Sequence, residues 1–133
     1  MRNALALAVT LALFGGTGLV RADDKTYPDI THDELVSALD SKKVTLLDAN
    51  GTDSYKEGHI PTALDFAEVK KDLAAKLPSD KSALIVAYCA NEQCPAYRQA
   101  ASAAVALGYT NVKHYAKGIM GWKRSGAKVE TSK

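Results

Sequence analysis

Two runs of apolar residues along the chain predict buried strands. Residues 44–47 (VTLL) and 83–88 (ALIVAY) contain almost no polar side chain, which is typical of parallel strands covered on both faces of a sheet. Shorter strands are expected over 63–66 and 111–115, where apolar residues stand close to turn signals. The predicted strands alternate with predicted helices along the chain, so the strands are expected to be parallel.

Those connecting segments carry helix signals. Thr31 and Glu34 form a capping box, and the apolar residues behind it recur at helical spacing. Pro95 and Gly108 bracket an alanine-rich stretch in the order that favours a helix between them. Helices are therefore predicted over about 32–40, 68–77, 96–107 and 119–124. The fold class predicted is α/β: a single domain whose central, mainly parallel sheet is flanked by helices on both faces.

The first 22 residues have the pattern of a secretory signal peptide. Arg2 supplies a positive charge, an apolar run covers 4–14, and Ala22 is a small residue at the cleavage point. The alternative is a membrane anchor, but the run is short against the roughly 20 residues that a spanning helix needs. We expect residues 1–22 to be cleaved, 23–29 to be a flexible lead-in, and 30–133 to form the domain. The protein would be exported, to the bacterial periplasm, without a stable membrane anchor.

Removal of the leader changes the charge balance. The chain of 133 residues has a formal charge of +2, but Arg2 and Arg21 lie in the leader and no acidic residue does. The mature chain then balances 15 basic against 15 acidic residues, which removes the electrostatic support for a nucleic-acid partner. Two cysteines are too few for a four-thiolate zinc site, and no metal is expected.

Cys89 is the strongest candidate for chemistry. It ends the apolar run 83–88 and is followed by a short loop and the helix that Pro95 opens. Ligands of open α/β sheets bind at the carboxyl ends of strands, and loop amides and a helix N-terminus lower the pKa of a thiol there. The arrangement suits a nucleophilic cysteine that is transiently modified. The competing interpretation is an unreactive core cysteine.

Four short segments resemble the rhodanese-like domain family. They are GHIPTA at 58–63, VAYC at 86–89, LGYTNV at 107–112, and an ending with Gly118, Ile119, Trp122 and Gly126. Each is weak alone, but the four follow the order of the family and span about residues 46–129. The resemblance therefore covers most of the mature chain.

This resemblance implies a sulfurtransferase. Cys89 would attack a sulfane sulfur donor such as thiosulfate, hold the sulfur as a persulfide, and pass it to a thiophilic acceptor, with no metal or organic cofactor. Main-chain amides of the loop would stabilise the donor and the persulfide; they belong to Ala90, Asn91, Glu92, Gln93 and Cys94. Phosphatase relatives of the fold have the pattern Cys-x5-Arg, and Pro95 stands at that arginine position, so phosphatase chemistry is not expected.

The loop departs from the family pattern in its charge. It carries Glu92 and no basic residue, which makes it less favourable for a dianionic donor. Arg98, one turn into the next helix, is expected to be solvated rather than to reach back. Lys117 stands where the family has the first glycine of a GG turn, and our hypothesis is that it supplies the missing positive charge.

Asp48 and His59 are expected to support the site rather than to react. Asp48 ends a strand at the same edge as Cys89, within the segment that corresponds to the Asp-x-Arg of the family, and it is suited to orienting loops. His59 lies in the GHIPTA segment, which is mostly structural, and is not expected to act as a base.

Cys94 leaves three states open. It is a free bystander, or it forms a resting disulfide that disables Cys89, or it resolves a Cys89 persulfide by forming the disulfide and releasing sulfide, which requires an external thiol reductant.

Two rival functions also stay open. One is a thiol–disulfide redox protein that uses both cysteines, and the other is a non-catalytic rhodanese-like binding module, which the acidic loop favours.

Overall fold

A four-stranded parallel sheet forms the centre of the protein. In the computed structural model, which describes residues 26–133, the strands are β1 (Thr45–Asp48), β2 (Leu64–Asp65), β3 (Ile85–Tyr88) and β4 (Val112–His114). They lie in the order β2-β1-β3-β4, and all neighbours are parallel. The carboxyl end of β3 therefore lies between those of β1 and β4.

Helices connect the strands and cover both faces of the sheet. They are α1 (His32–Asp40), α2 (Thr52–Glu57), α3 (Phe66–Val69), α4 (Leu73–Lys76), α5 (Tyr97–Ala106) and α6 (Gly118–Arg124). Ile85 and Ala87 pack in one apolar cluster with α5, while Val86 and Tyr88 pack in a second cluster with α1 and α6. Because successive residues of a strand point to opposite faces, β3 has to be apolar throughout. The predicted α/β fold with a doubly covered parallel sheet is confirmed.

Local signals set the ends of the helices. The hydroxyl of Thr31 accepts the N–H of Glu34 at 3.2 Å, and the Glu34 carboxylate accepts the N–H of Thr31 at 2.9 Å. The predicted capping box and the helix behind it are thus confirmed. Gly108, with a φ of 95°, follows α5 in the left-handed conformation that glycine favours after a helix. Within residues 26–133, no helix is long and apolar enough to cross a membrane.

Two connections differ from the prediction. A single helix over 68–77 is wrong, because the chain forms α3 and α4 with a 3-10 turn, Lys70–Asp72, between them. Leu73 and Leu77, whose spacing suggests that one helix continues, are buried from α4 and the residue after it, not from α3. Helix α2 is not among the predicted helices, because its six residues include only one apolar side chain, Tyr55, and so carry no helical periodicity.

The segment before α1 is packed against the sheet. Tyr27 and Ile30 are buried, the N–H of Ile30 donates to His114, and the N–H of His114 donates to Pro28. Residues 27–29, expected to be part of a flexible lead-in, instead run parallel to β4, with Asp29 paired to His114. The predicted signal peptide and residues 23–25 lie outside the described residues.

Candidate active site

Cys89 lies at the carboxyl end of β3, in the middle of the sheet. Tyr88, the last residue of that strand, pairs in register with Asp48 of β1. Cys89 belongs to the apolar cluster under α5 and is only 1% exposed. The apolar strand therefore holds this sulfur at the end of the sheet where α/β proteins bind their ligands.

Cys89 forms a disulfide bond with Cys94. Their Cα atoms are 6.3 Å apart, within the usual range for disulfides, and neither cysteine is free. The Sγ atom of Cys89 also lies 3.1 Å from the carbonyl oxygen of Cys94. Of the three states that the sequence leaves open for Cys94, the structure has a disulfide, in which Cys89 offers no thiolate for attack.

Asn91 gives the loop the turn that brings the two cysteines together. Its side-chain oxygen accepts the N–H of Gln93 at 3.0 Å, and its main-chain oxygen accepts the N–H of Cys94 at 3.2 Å. An asparagine at the first position of a turn commonly binds the backbone two residues on. Asn91 is therefore a positioning residue for Cys94.

The main-chain amides of the loop divide into two groups. Those of Gln93 and Cys94 donate to Asn91 within the turn in the disulfide state. The expectation that all five loop amides stabilise the donor and the persulfide stays a prediction. Those of Ala90, Asn91 and Glu92 donate to no atom of residues 26–133. These three amides therefore have no hydrogen-bond partner within the described part of the chain.

The first turn of α6 holds the loop in place. The amides of Ile119 and Met120 donate to the carbonyl oxygens of Cys89 and Ala90, at 2.9 and 3.0 Å. Gly118 lies so close that a Cβ atom there would be 2.5 Å from the carbonyl carbon of Ala90. The N-terminal amides of α6 are thus directed at main-chain oxygens of the loop and fix the backbone of Cys89.

A small cavity beside this contact brings charged side chains together. Its volume is about 280 Å³, and its lining includes Glu92, Lys117 and Arg124. Lys117 is the N-cap residue of α6, so the helix that holds the loop also places a lysine near the acidic residue of the loop. That Lys117 compensates the negative charge of the loop stays a prediction. It is supported by the cavity, which Lys117 and Glu92 both line.

Asp48 is buried in a hydrogen-bond network behind the loop. Its carboxylate accepts the O–H of Tyr88 at 2.7 Å and the N–H of Asn50 at 2.8 Å. The Tyr88 hydroxyl in turn accepts the N–H of Ile60 at 3.0 Å. Burial raises the pKa of Asp48 and also that of Tyr88. The network joins β1, β3 and the GHIPTA segment, which suits an orienting role.

His59 and Arg98 contact groups other than the sulfur. The buried His59 ring stacks on Tyr55 with its Nδ1 atom 2.7 Å from the Tyr55 carbonyl oxygen, and its Nε2 atom lies 3.6 Å from the Glu130 carboxylate. Arg98 is exposed, with its Nε atom 3.5 Å from the Tyr97 hydroxyl. His59 thus contacts the C-terminal segment, and its supporting role at the site stays a prediction. Arg98 lies exposed along the start of α5.

The parts played by Tyr88 and Arg124 were not among the predictions from the sequence. A hydroxyl inside an apolar strand is a usable signal, because a buried tyrosine usually needs a hydrogen-bond partner. Arg124 follows Lys117 by seven residues, which places both on one side of a helix. Among residues 26–133, no cluster of His, Cys, Asp or Glu side chains could hold a metal ion.

Comparisons with known proteins connect this arrangement to a family. The family model described as a rhodanese-like domain matches residues 31–125. The solution NMR structure of the rhodanese-like domain from an Anabaena sp. protein has a TM-score of 0.63 at 24% identity, covering 80% of this chain and 81% of that one. The crystal structure of a thiosulfate sulfurtransferase from Pseudomonas aeruginosa has a TM-score of 0.62 at 24% identity, covering 80% of this chain and 21% of that one. At this identity the two structures show the fold alone.

One similar protein is a regulator. An HTH-type transcriptional regulator of Mycobacterium tuberculosis (strain ATCC 25618 / H37Rv) is 34% identical over 103 residues, which are 76% of this chain and 44% of the regulator. The chain thus spans less than half the length of this relative.

Proposed function

Because the chain belongs to the rhodanese-like domain family, we propose that it is a sulfurtransferase that carries sulfane sulfur as a persulfide on Cys89. The observation that carries the proposal is the position of the Cys89 sulfur. It lies directly after β3, at the carboxyl end of the sheet, and is bonded to Cys94 of the loop that follows. A nucleophile at that place meets ligands at the end of the sheet where α/β folds bind them.

The proposed reaction consists of two displacements at sulfur. The Cys89 thiolate attacks the outer sulfur of thiosulfate, a new S–S bond forms, the S–S bond of the donor breaks, and sulfite leaves with the bonding electrons. A thiophilic acceptor such as cyanide then attacks the outer sulfur of the persulfide, and Cys89 leaves as a thiolate. The cycle consumes no reductant, and none of its steps calls for a cofactor.

Two features of the site support the stabilisation of negative charge. The amides of Ala90, Asn91 and Glu92, without partners in residues 26–133, can be directed at an anion. Lys117 and Arg124 line the neighbouring cavity and outnumber its one carboxylate, Glu92. A small anionic donor is the substrate class that this arrangement favours.

The disulfide between Cys89 and Cys94 is the proposed resting form. An external thiol has to open it before sulfur is transferred, since only a thiolate attacks the donor. The proposed location, the bacterial periplasm to which residues 1–22 would direct the chain, is oxidising and preserves such a bond.

Formation of thiocyanate from thiosulfate and cyanide tests the proposal. Wild-type protein that has been reduced and then freed of reductant is expected to turn over, and the disulfide form is not. Cys89→Ser is expected to lose all activity. Cys94→Ser is expected to work without prior reduction, because Cys89 then has no disulfide partner. No thiocyanate from either reduced wild type or Cys94→Ser would overturn the proposal and favour a binding module.

A second candidate, a thiol–disulfide redox protein, is favoured by the disulfide itself. It requires both cysteines for every turnover, since one opens the mixed disulfide that the other forms. In this case Cys94→Ser would be as inactive as Cys89→Ser in reducing a disulfide substrate, and neither reduced form would move sulfur from thiosulfate to cyanide.

A further inference from the structure

We infer that Cys94 gives the site a second activity: it displaces the outer sulfur of the Cys89 persulfide as free sulfide, which makes the protein a dithiol-dependent reductase of sulfane sulfur. The inference rests on the proposed function, because it starts from the persulfide. It concerns the fate of the sulfur when no acceptor is bound.

The first observation is that Cys94 reaches the Cys89 sulfur within the folded protein. The two residues are already joined, with Cα atoms 6.3 Å apart, and no element of the sheet has to move to join them. The inner sulfur of a Cys89 persulfide is the same Sγ atom. A Cys94 thiolate is therefore held beside the atom that it has to attack.

The second observation is that the loop is built to hold this geometry. Asn91 binds the amides of Gln93 and Cys94 and so turns the chain back. From the other side, α6 binds the carbonyl oxygens of Cys89 and Ala90. Groups held in the reacting geometry react far faster than the same groups free in solution, so Cys94 competes effectively with dilute acceptors.

The step balances in atoms and electrons. The Cys94 thiolate attacks the inner sulfur of the persulfide, the Cys89–Cys94 bond forms, and the bond between the inner and outer sulfurs breaks. The outer sulfur takes the bonding pair, gains a proton and leaves as hydrosulfide. The outer sulfur is reduced, and the two cysteines end as the disulfide that the structure contains.

An external dithiol completes the cycle. Cys94 is half-buried whereas Cys89 is 1% exposed, so the dithiol attacks the Cys94 sulfur and Cys89 leaves as the thiolate. The second thiol of the reductant then frees Cys94. Over one cycle, thiosulfate and a dithiol become sulfite, hydrosulfide, a cyclic disulfide and one proton. This order returns Cys89 in the nucleophilic form that the next donor requires.

A single-turnover experiment on the full chain tests this inference. Reduced wild type, Cys94→Ser and Cys89→Ser are freed of reductant and treated with thiosulfate. Sulfide is assayed in the reaction mixture, and the intact mass of each protein is measured after desalting. Wild type is expected to release about one equivalent of sulfide and to end about 2 Da below its reduced mass. Cys94→Ser is expected to keep a gain of about 32 Da and release none. Cys89→Ser is expected to do neither.

The outcomes separate the two proposals. If Cys94→Ser takes up sulfur and wild type also keeps it without releasing sulfide, this inference is overturned and the sulfurtransferase proposal stands. Equal release of sulfide by wild type and Cys94→Ser also overturns it, because the sulfur then leaves without Cys94. If Cys94→Ser gains no mass and wild type releases no sulfide, both proposals are overturned.

Asn91 provides a variant that keeps both cysteines. Asn91→Ala removes the side-chain acceptor of the turn, and sulfide release from the persulfide should slow about five- to tenfold, in line with the loss of one hydrogen bond. Asn91→Asp keeps an oxygen acceptor at that position and should restore most of the rate. An unchanged rate of sulfide release in Asn91→Ala would show that the Asn91 side chain does not position Cys94.

Discussion

Tyr88 is the residue that joins the polar groups at the carboxyl end of the sheet. It donates to Asp48, accepts from Ile60, and all three residues are fully buried. Tyr88→Phe leaves a buried carboxylate oxygen and a buried amide without this partner, and we expect a loss of about 1–3 kcal/mol in the free energy of unfolding. Urea denaturation measures it. Tyr97→Phe, which removes a hydroxyl 3.5 Å from Arg98, is the control and should lose less; equal losses would argue against the network.

Asp48 makes the stability of the protein depend on pH. Because burial raises its pKa above 3.8, its contribution to stability is fully present below that pH and is lost as the pH rises through the folded-state pKa. The side chain of Asp48→Asn cannot ionise, so this variant does not lose stability at this position as the pH rises. The free energy of unfolding of wild type minus that of Asp48→Asn should therefore fall as the pH rises from about 3.5 to 7. A constant difference would show that the carboxyl group ionises equally in the folded and unfolded states.

Lys117 is predicted to attract the anionic donor. Lys117→Ala should raise the KM for thiosulfate about two- to fivefold, the range for an exposed charge, and the effect should weaken as salt is added. Lys123→Ala is the matched control, because Lys123 lies on the same helix but its amine is directed towards Gly58. Steady-state kinetics at two salt concentrations decide the question. If Lys117→Ala leaves the KM unchanged, the hypothesis is wrong.

At the scale of elements, the contact between α6 and the Cys89 loop depends on Gly118. Gly118→Ala would put a methyl group 2.5 Å from Ala90, so the loop or the helix has to move. Gly126→Ala is the matched control, since Gly126 also has a positive φ, of 80°, but has open space around it. The control should lose only about 1–2 kcal/mol through the left-handed backbone.

We expect Gly118→Ala to lose more unfolding free energy than Gly126→Ala and to form thiocyanate at least about tenfold more slowly. Chemical denaturation and the thiocyanate assay measure the two effects. Equal stability and equal rates for the two variants would mean that the contact with α6 does not position Cys89.

Helices and strands are predictable from the sequence where the signal lies within the element itself. The capping box of Thr31 and Glu34 and the apolar run of β3 each specify their own conformation, and the structure contains both. The break between α3 and α4 has no such signal, because Leu73 and Leu77 continue the spacing of a single helix. Tertiary packing ends that helix early, and a periodic pattern does not contain this information.

For the whole molecule, the order of segments is enough to predict the parallel sheet and the position of Cys89, because strand and helix alternate along the chain. The state of Cys94 is not predictable in this way. It depends on the path of a five-residue loop, which Asn91 and the first turn of α6 determine from different parts of the sequence.

The disulfide should stabilise the whole domain. Cys89 and Cys94 are five positions apart, and closing so short a loop in the unfolded chain corresponds to about 2 kcal/mol in the chain-entropy account. We therefore expect reduction to lower the free energy of unfolding of wild type by about this amount. Cys94→Ser should unfold identically with and without reductant. Guanidinium titrations provide the comparison, and a wild type indifferent to reductant would mean that the bond is absent in solution.

The most direct test of the central claim is the peptide mass map of Cys94→Ser after thiosulfate treatment. The chain has two cysteines, so this variant has one sulfur nucleophile. Our account predicts a gain of about 32 Da on the peptide that contains Cys89, removed by cyanide as thiocyanate forms. A peptide that keeps its original mass, with the thiol still open to alkylation, would contradict the account.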